Sequence, residues 1–217
     1  MTNTDQLDQF YSIQRSEDGR IANRKTLVVN LLPKDEYRYG YRYWVDKNTG
    51  MLLRCDLISE DDIVVEQMMF TSLEYLPAAP VRILELEQFD MYEQKILDEP
   101  EVDVATNEVK WTINSLPKGF MLTQSTMRYS HVESARQKGS TTHVPPDLQH
   151  LVYSDGLASV SVFIEKNLGE DKHLQGVSTR GAVNAFGNAL GEHYVTVVGE
   201  VPVRTVQSMA QSIALLP

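Results

Sequence analysis

The side chains able to do chemistry lie scattered along this sequence. Its five histidines are His131, His143, His150, His173 and His193. No two stand at the i, i+4 spacing that would set both imidazoles on one helix face around zinc. The single cysteine, Cys55, has no partner for a thiolate metal site or an internal disulfide. It sits among Leu52, Leu53 and Leu57, an apolar setting that makes a thiol inert, since a nucleophile needs an accessible, electropositive one. The run RGAVNAFGNALGEH, residues 180 to 193, is rich in glycine. It has neither the Gly-Lys-Ser/Thr of a phosphate-binding loop nor a G-x-G-x-x-G fingerprint. No G-x-S-x-G elbow occurs. The carboxylates crowd turns and one acidic stretch, where water surrounds them and nothing sets up an acid–base pair. These residues predict a binding or regulatory protein without a cofactor or metal, not an enzyme.

One stretch has the spacing of a surface that could bind. YRYGYRYWVD, residues 37 to 46, places Tyr37, Tyr39, Tyr41 and Tyr43 at every second position. Side chains two apart share one face of a strand, so the tyrosines line one face and Arg38, Arg42 and Trp44 the other. The aromatic face is either ordinary packing against a hydrophobic layer or one wall of a ligand cavity.

The elements that would position these residues follow from periodicity. Residues 8 to 72 read as a meander of short alternating strands. LDQFYSIQR ends at Glu17-Asp18-Gly19 and KTLVVNLL stops at Pro33-Lys34-Asp35. The tyrosine ladder ends at Asp46-Lys47-Asn48-Thr49-Gly50. MLLRCDLIS runs to Glu60-Asp61-Asp62, and IVVEQMMFTSL follows. Between 85 and 103 eight acids face Lys95 alone. This predicts a solvated connector over 77–110 between a first domain, 1–76, and a second, 111–217. In the second, WTINSLPKGFML predicts two strands around Pro-Lys-Gly, and residues 134 to 147 read as a loop. HLVYSDGLASVSVFIE predicts a hairpin turning at Ser154-Asp155-Gly156. GAVNAF and HYVTVVGE form a further pair, joined through residues 187 to 191. The tail changes period. Val203, Val206, Ala210 and Ile213 recur at three and four, an amphipathic helix for the sheet to carry.

A formal net charge of −10 would repel phosphate backbones, which argues against nucleic acid and anionic membrane as partners. No window reaches the roughly 18 apolar residues of a membrane span. The first residues, MTNTDQLDQF, lack the basic and apolar regions of a secretory signal.

Several strings resemble the RseB/MucB family of periplasmic regulators of sigma-E (AlgU) activity. They are YRYGYRYWVDKNTGMLLRCDLI and VVEQMMFTSLE in the first half. In the second they are Trp111 with LPKGF at 116 to 120, LVYSDGLASVSVFIE at 151 to 165 and VTVVGEVP at 195 to 202. The resemblance implies a mainly β protein, in which part of a curved antiparallel sheet like that of the lipoprotein carriers LolA and LolB precedes a small α+β domain. It implies that residue 1 falls inside the large domain, whose first strands and signal peptide would lie upstream. It further implies a non-enzymatic periplasmic protein of the envelope stress response. That protein would bind the periplasmic region of an anti-sigma factor (RseA or MucA) and shield it from site-1 proteolysis. Lipopolysaccharide or lipoprotein acyl chains would release it. A lipid carrier or sensor of the LolA type is the alternative reading. On either, Leu27, Val29, Leu31, Tyr39, Tyr41, Leu53, Met68 and Phe70 are candidates to line a lipid cavity, with core packing as the plainer reading. Arg38 and Arg42 are candidates to contact lipid phosphates or an acidic partner segment, or else simply face solvent. The incomplete sheet leaves an edge that invites a homodimer.

Overall fold

A computed structural model describes residues 7–76, 102–103, 110–128, 148–167 and 173–216. The expected connector, apart from Val102–Asp103 and Lys110, lies outside these residues, as do His131, His143 and the expected loop at 134 to 147.

A single helical turn, α1 (Leu7–Phe10), leads into five antiparallel strands: β1 (Tyr11–Ile21), β2 (Arg24–Pro33), β3 (Gly40–Asp46), β4 (Leu52–Ile58) and β5 (Val64–Met69). They pair in sequence order. This is the expected meander, with two corrections. The first strand does not end at Glu17-Asp18-Gly19. The ladder with β2 shifts register between Ser16 and Gly19, a bulge that takes up the acidic pair. The turn comes later, at Ala22 and Asn23, with φ of 45° and 61°, the paired positive values of a tight hairpin. The second correction concerns the tyrosine ladder. β3 begins only at Gly40, so Tyr37, Arg38 and Tyr39 belong to the loop before it. Tyr41 and Tyr43 do share a face and stack at 5.7 Å.

The second unit is built on a seven-stranded sheet in the order β11-β12-β13-β10-β9-β8-β6. The strands are β6 (Val102–Asp103), β8 (Met121–Arg128), β9 (Leu148–Ser154), β10 (Ser159–Lys166), β11 (Gly176–Arg180), β12 (Val183–Leu190) and β13 (His193–Gly199). Val102–Asp103, expected within the connector, therefore belongs to this sheet. β9 and β10 form the expected hairpin, with Gly156 at φ 103°. Burial alternates along both strands, so one face holds the core and the other meets water. Leu151, Tyr153, Val160, Val162, Ile164, Val195 and Val197 are all buried. Each fully buried aliphatic side chain stabilises the fold by about 1.5–3 kcal/mol relative to exposure. Helix α2 (Val203–Gln211) covers this core with Val206 and Ala210, two of the positions its period marks, and with Met209; Ile213, which the period placed in the helix, lies in the strand after it. Pro202 precedes the first turn, where its missing N–H is not needed. The chain leaves the helix at Ser212, and β14 (Ile213–Leu215) pairs with β7 (Trp111–Ile113). Trp111 thus pairs with the C-terminus and not with the return strand β8. Gly187 lies inside β12 rather than in a turn. A Cβ there would stand 1.9 Å from the Leu174 carbonyl oxygen, so only glycine lets that segment cross the strand.

Candidate functional site

The two sheets meet along a seam, and the loop before β3 supplies most of it. Arg38 is fully buried, and so is its partner Asp155 in the β9–β10 turn. Nη1 of Arg38 donates to Oδ2 of Asp155 at 2.6 Å, and Nη2 donates to the Lys118 carbonyl at 2.6 Å. Nε donates to Oδ1 of Asp35 at 3.0 Å. The guanidinium carbon stands 5.0 Å from the Phe10 ring and 5.2 Å from that of Phe120, within cation–π range. Asp155 is equally engaged. Its Oδ2 also accepts from the Tyr11 hydroxyl at 3.1 Å, and its Oδ1 accepts from the backbone N–H of Leu157 and Ala158. A buried charge is tolerated only when paired and hydrogen-bonded, and both charges here meet that condition.

Further contacts extend the seam. Asn184 of β12 donates to the Tyr39 hydroxyl at 2.9 Å. The Thr205 hydroxyl of α2 donates to the Tyr37 carbonyl at 2.7 Å, and Arg204 pairs with Glu36. Leu157 packs with Phe10, Tyr11 and Leu31, and Ala182 packs with Tyr39 and Leu57. Gly119, at φ 93°, lies so close to Phe10 that a Cβ would stand 2.5 Å from its ring. Beside these contacts a cleft of about 460 Å³ opens between the sheets. Tyr41 forms one wall, and Leu157, Ser159, Val183, Val198 and Glu200 the other.

Burial shapes the titration of the groups around the seam. The Tyr43 hydroxyl is pushed up to about 12, first by burial and then by Cys55. Burial raises Tyr41 further, as it does Tyr11, where the Asp155 charge adds to it. Burial also raises the Cys55 thiol, with Asp56 second. That opposes thiolate chemistry, in line with the sequence reading.

The structure divides the residues singled out in the sequence. Leu31, Tyr39 and Tyr41, offered as cavity lining, pack at the seam, with Val29 against the same cluster. Leu53 is buried and Leu27 half-buried. Met68 and Phe70 are exposed, at 61% and 39%. By strand register Ile13, Leu27, Val29, Tyr43 and Met68 share one face, and Ile13 and Met68 at its margins are open to solvent. Arg38 departs most from expectation. It is neither on a solvated face beside Arg42 nor free to contact an outside ligand, because Asp155, Asp35 and the Lys118 carbonyl take up its donors. Arg42 does lie on the polar face of the sheet, half-buried, and donates to Asn30 at 2.8 Å. It lines a second cleft of about 670 Å³ with Arg15, Glu17, Asp18 and Trp44.

Asp155, Phe120, Asn184 and Thr205 went unrecognised in the sequence. Asp155 reads as a turn residue, and no local signal ties it to a cation 117 positions away. Among the described residues no group of three or more His, Cys, Asp or Glu could hold a metal ion. No described helix is long and apolar enough to cross a membrane.

Residues 1–97 match the sequence model of the MucB/RseB N-terminal domain, and residues 105–214 match that of the MucB/RseB C-terminal domain. The chain is 32% identical to the sigma factor AlgU regulatory protein MucB of Pseudomonas aeruginosa over 96% of its length. It is 26% identical to the sigma-E factor regulatory protein RseB of Escherichia coli K12 over 98%. It spans 62% of the length of each of these relatives. Among solved structures it resembles MucB in the Pseudomonas aeruginosa MucA/MucB complex with a TM-score of 0.73 at 30% identity, covering 100% of this chain and 69% of that one. It resembles MucB in complex with MucA(peri) with a TM-score of 0.72 at 32% identity, covering 98% and 70%. Against a crystal structure of MucB the TM-score is 0.61 at 30% identity, covering 98% and 66%.

Proposed function

Because the chain belongs to the MucB/RseB family, we propose that it is a non-enzymatic periplasmic regulator that binds the periplasmic region of a MucA-like anti-sigma factor and covers its site-1 cleavage segment. The observation that carries this reading is the likeness to MucB in the MucA-containing structures, which extends through both sheets at once. Occlusion needs no reactive group. A partner segment held against the protein is withdrawn from the population a protease can cut, and protection grows with occupancy. The interdomain cleft and the C-terminal domain provide the surface. The test is the rate at which a site-1 protease cuts MucA(peri) with and without the chain. The reading expects cleavage to slow in proportion to bound fraction; an unchanged rate at saturating chain would overturn it.

A second reading is favoured by the half-open apolar face. Ile13 and Met68 lie at the margins of the face that holds Leu27, Val29, Leu31 and Tyr43, with Arg15 and Glu66 at its rims, a surface suited to an acyl chain of lipopolysaccharide or a lipoprotein. On this reading lipid competes with the anti-sigma segment and releases it. Lipid A titrated into a preformed complex should then free MucA(peri) in a saturable way, and retention at all lipid concentrations would dispose of the competition. The outer edge of β5, with Val64, Met68 and Met69 exposed, is where a second copy would pair as a homodimer.

A further inference from the structure

We propose that Arg38 is a positioning residue for partner binding: by meeting Asp155 across the seam it fixes the two domains in the arrangement that receives the anti-sigma segment. This rests on the anti-sigma reading above and adds to it a residue that touches no partner.

Three observations support it. The first is the placement of charge. Arg38 and Asp155 come from different domains, and both are fully buried where they meet. A different packing of the domains would bury one of them alone, or leave both in water without the aromatic cage of Phe10, Tyr11 and Phe120. Buried ion pairs add little net stability, and their best-attested use is to select one register over its competitors. The second observation is geometry. The cleft has Tyr41 on one wall and residues of the β9–β10 turn, β12 and β13 on the other, so the way the domains dock bears on its width. The secondary contacts, Asn184 to Tyr39 and Thr205 to Tyr37, come from the residues flanking Arg38 and depend on the same docking. Third, the whole-chain TM-score is higher against MucB in the two MucA-containing structures, 0.73 and 0.72, than against a crystal structure of MucB, 0.61, as a shared arrangement of the two domains would give.

A protein whose binding-competent arrangement is only fractionally populated binds with an affinity reduced by that fraction. Loss of the latch that leaves about a tenth of molecules correctly docked weakens binding about tenfold.

The experiment compares the wild-type chain, Arg38→Met, and Arg38→Met carrying Glu36→Cys and Arg204→Cys, with Cys55→Ser to remove the native thiol. Glu36 and Arg204 are exposed and face each other across the seam, so a short bismaleimide can join the new cysteines. Affinity for MucA(peri) is measured for each, and small-angle scattering reports domain arrangement. The expectation is roughly tenfold weaker binding and a broadened scattering profile for Arg38→Met, with both recovered on cross-linking. Rescue by a link elsewhere on the seam is something a purely local folding defect would not show. If Arg38→Met does not fold, Tyr39→Phe with Thr205→Val removes the two flanking hydrogen bonds instead and should weaken binding at least threefold. Wild-type affinity in the variant that folds, or loss that the cross-link fails to restore, overturns the inference. Absence of binding by the wild-type chain overturns the anti-sigma reading first, and the inference with it.

Discussion

Replacing Asp155 by Asn keeps the shape of the seam and removes one charge. Arg38 is then left fully buried beside a neutral amide, with Asp35 and the Lys118 carbonyl as its remaining acceptors. Breaking a buried pair by removing one partner costs about 3–5 kcal/mol. Asp35 is partly exposed and still pairs with Arg38, so the lower end, about 3 kcal/mol, is expected. Arg38→Met should cost a similar amount, because Asp155 keeps only the Tyr11 hydroxyl and two backbone N–H donors. The double variant leaves no charge stranded and should lose about 1–2 kcal/mol, far less than the sum of the singles. The assay is urea unfolding followed by fluorescence. The two tryptophans fall one in each domain, Trp44 on β3 and Trp111 on β7, so Trp44→Phe and Trp111→Phe backgrounds report the domains separately. With a slope of about 1–3 kcal/mol per molar, each single variant should lower the midpoint by about 1–3 M. The two tryptophan transitions should coincide in the wild type and separate in the singles. Additive costs, or wild-type transitions that are already separate, would refute the idea that a charge pair couples the domains.

Three further predictions follow from individual sites. Hydrogen bonding to Arg24 holds the Asp46 carboxyl below its ordinary value, with the Asn48 N–H second; a depressed carboxylate stabilises the fold above its unfolded pKa and loses that contribution as pH falls through its folded value. Asp46→Asn should therefore lower thermal stability at pH 7 and flatten its decline below about pH 4, read by thermal melts across pH. Tyr11, Tyr41 and Tyr43 have raised values, so their contribution is complete below their ordinary pKa of 10 and is lost as pH rises beyond it; absorbance at 295 nm should show at least three phenols that resist ionisation through pH 11 and titrate together with unfolding. Met209→Ala, which opens a cavity under α2, should cost about 2–5 kcal/mol, seen as a lower urea midpoint at Trp111 with little change at Trp44 once the seam is uncoupled by Arg38→Met.

Local patterns carried much of the fold. The β9–β10 hairpin was legible because strict alternation met an Asp-Gly turn, and α2 because Val203, Val206 and Ala210 kept a three-and-four period, although the fourth residue of that period, Ile213, starts β14. β11 was missed: GVSTR is short and exposed, without an apolar alternation to mark it. The pairing of Trp111–Ile113 with Ile213–Leu215 joins residues about a hundred positions apart, which no window of sequence reports. The tyrosine ladder misled for a related reason. Its period of two continues unbroken through Tyr37 and Tyr39, yet tertiary contacts override it there. Asn184 holds the Tyr39 hydroxyl, Thr205 holds the Tyr37 carbonyl, and Arg38 turns inward to Asp155. Pattern showed that the segment was unusual; the partner residues from the other domain, Asp155, Asn184 and Thr205, show what it does. Of the four tyrosines that the spacing put on one face of a strand, Tyr41 and Tyr43, the two within β3, do share it.

The proposed regulation depends on one act, the grip of this protein on an anti-sigma polypeptide. Calorimetric titration of MucA(peri) into the chain tests it directly. The prediction is a saturable isotherm with a dissociation constant of about 10 μM or tighter, equivalent to roughly −7 kcal/mol. A flat trace from a chain whose two tryptophans both report a folded state would contradict it.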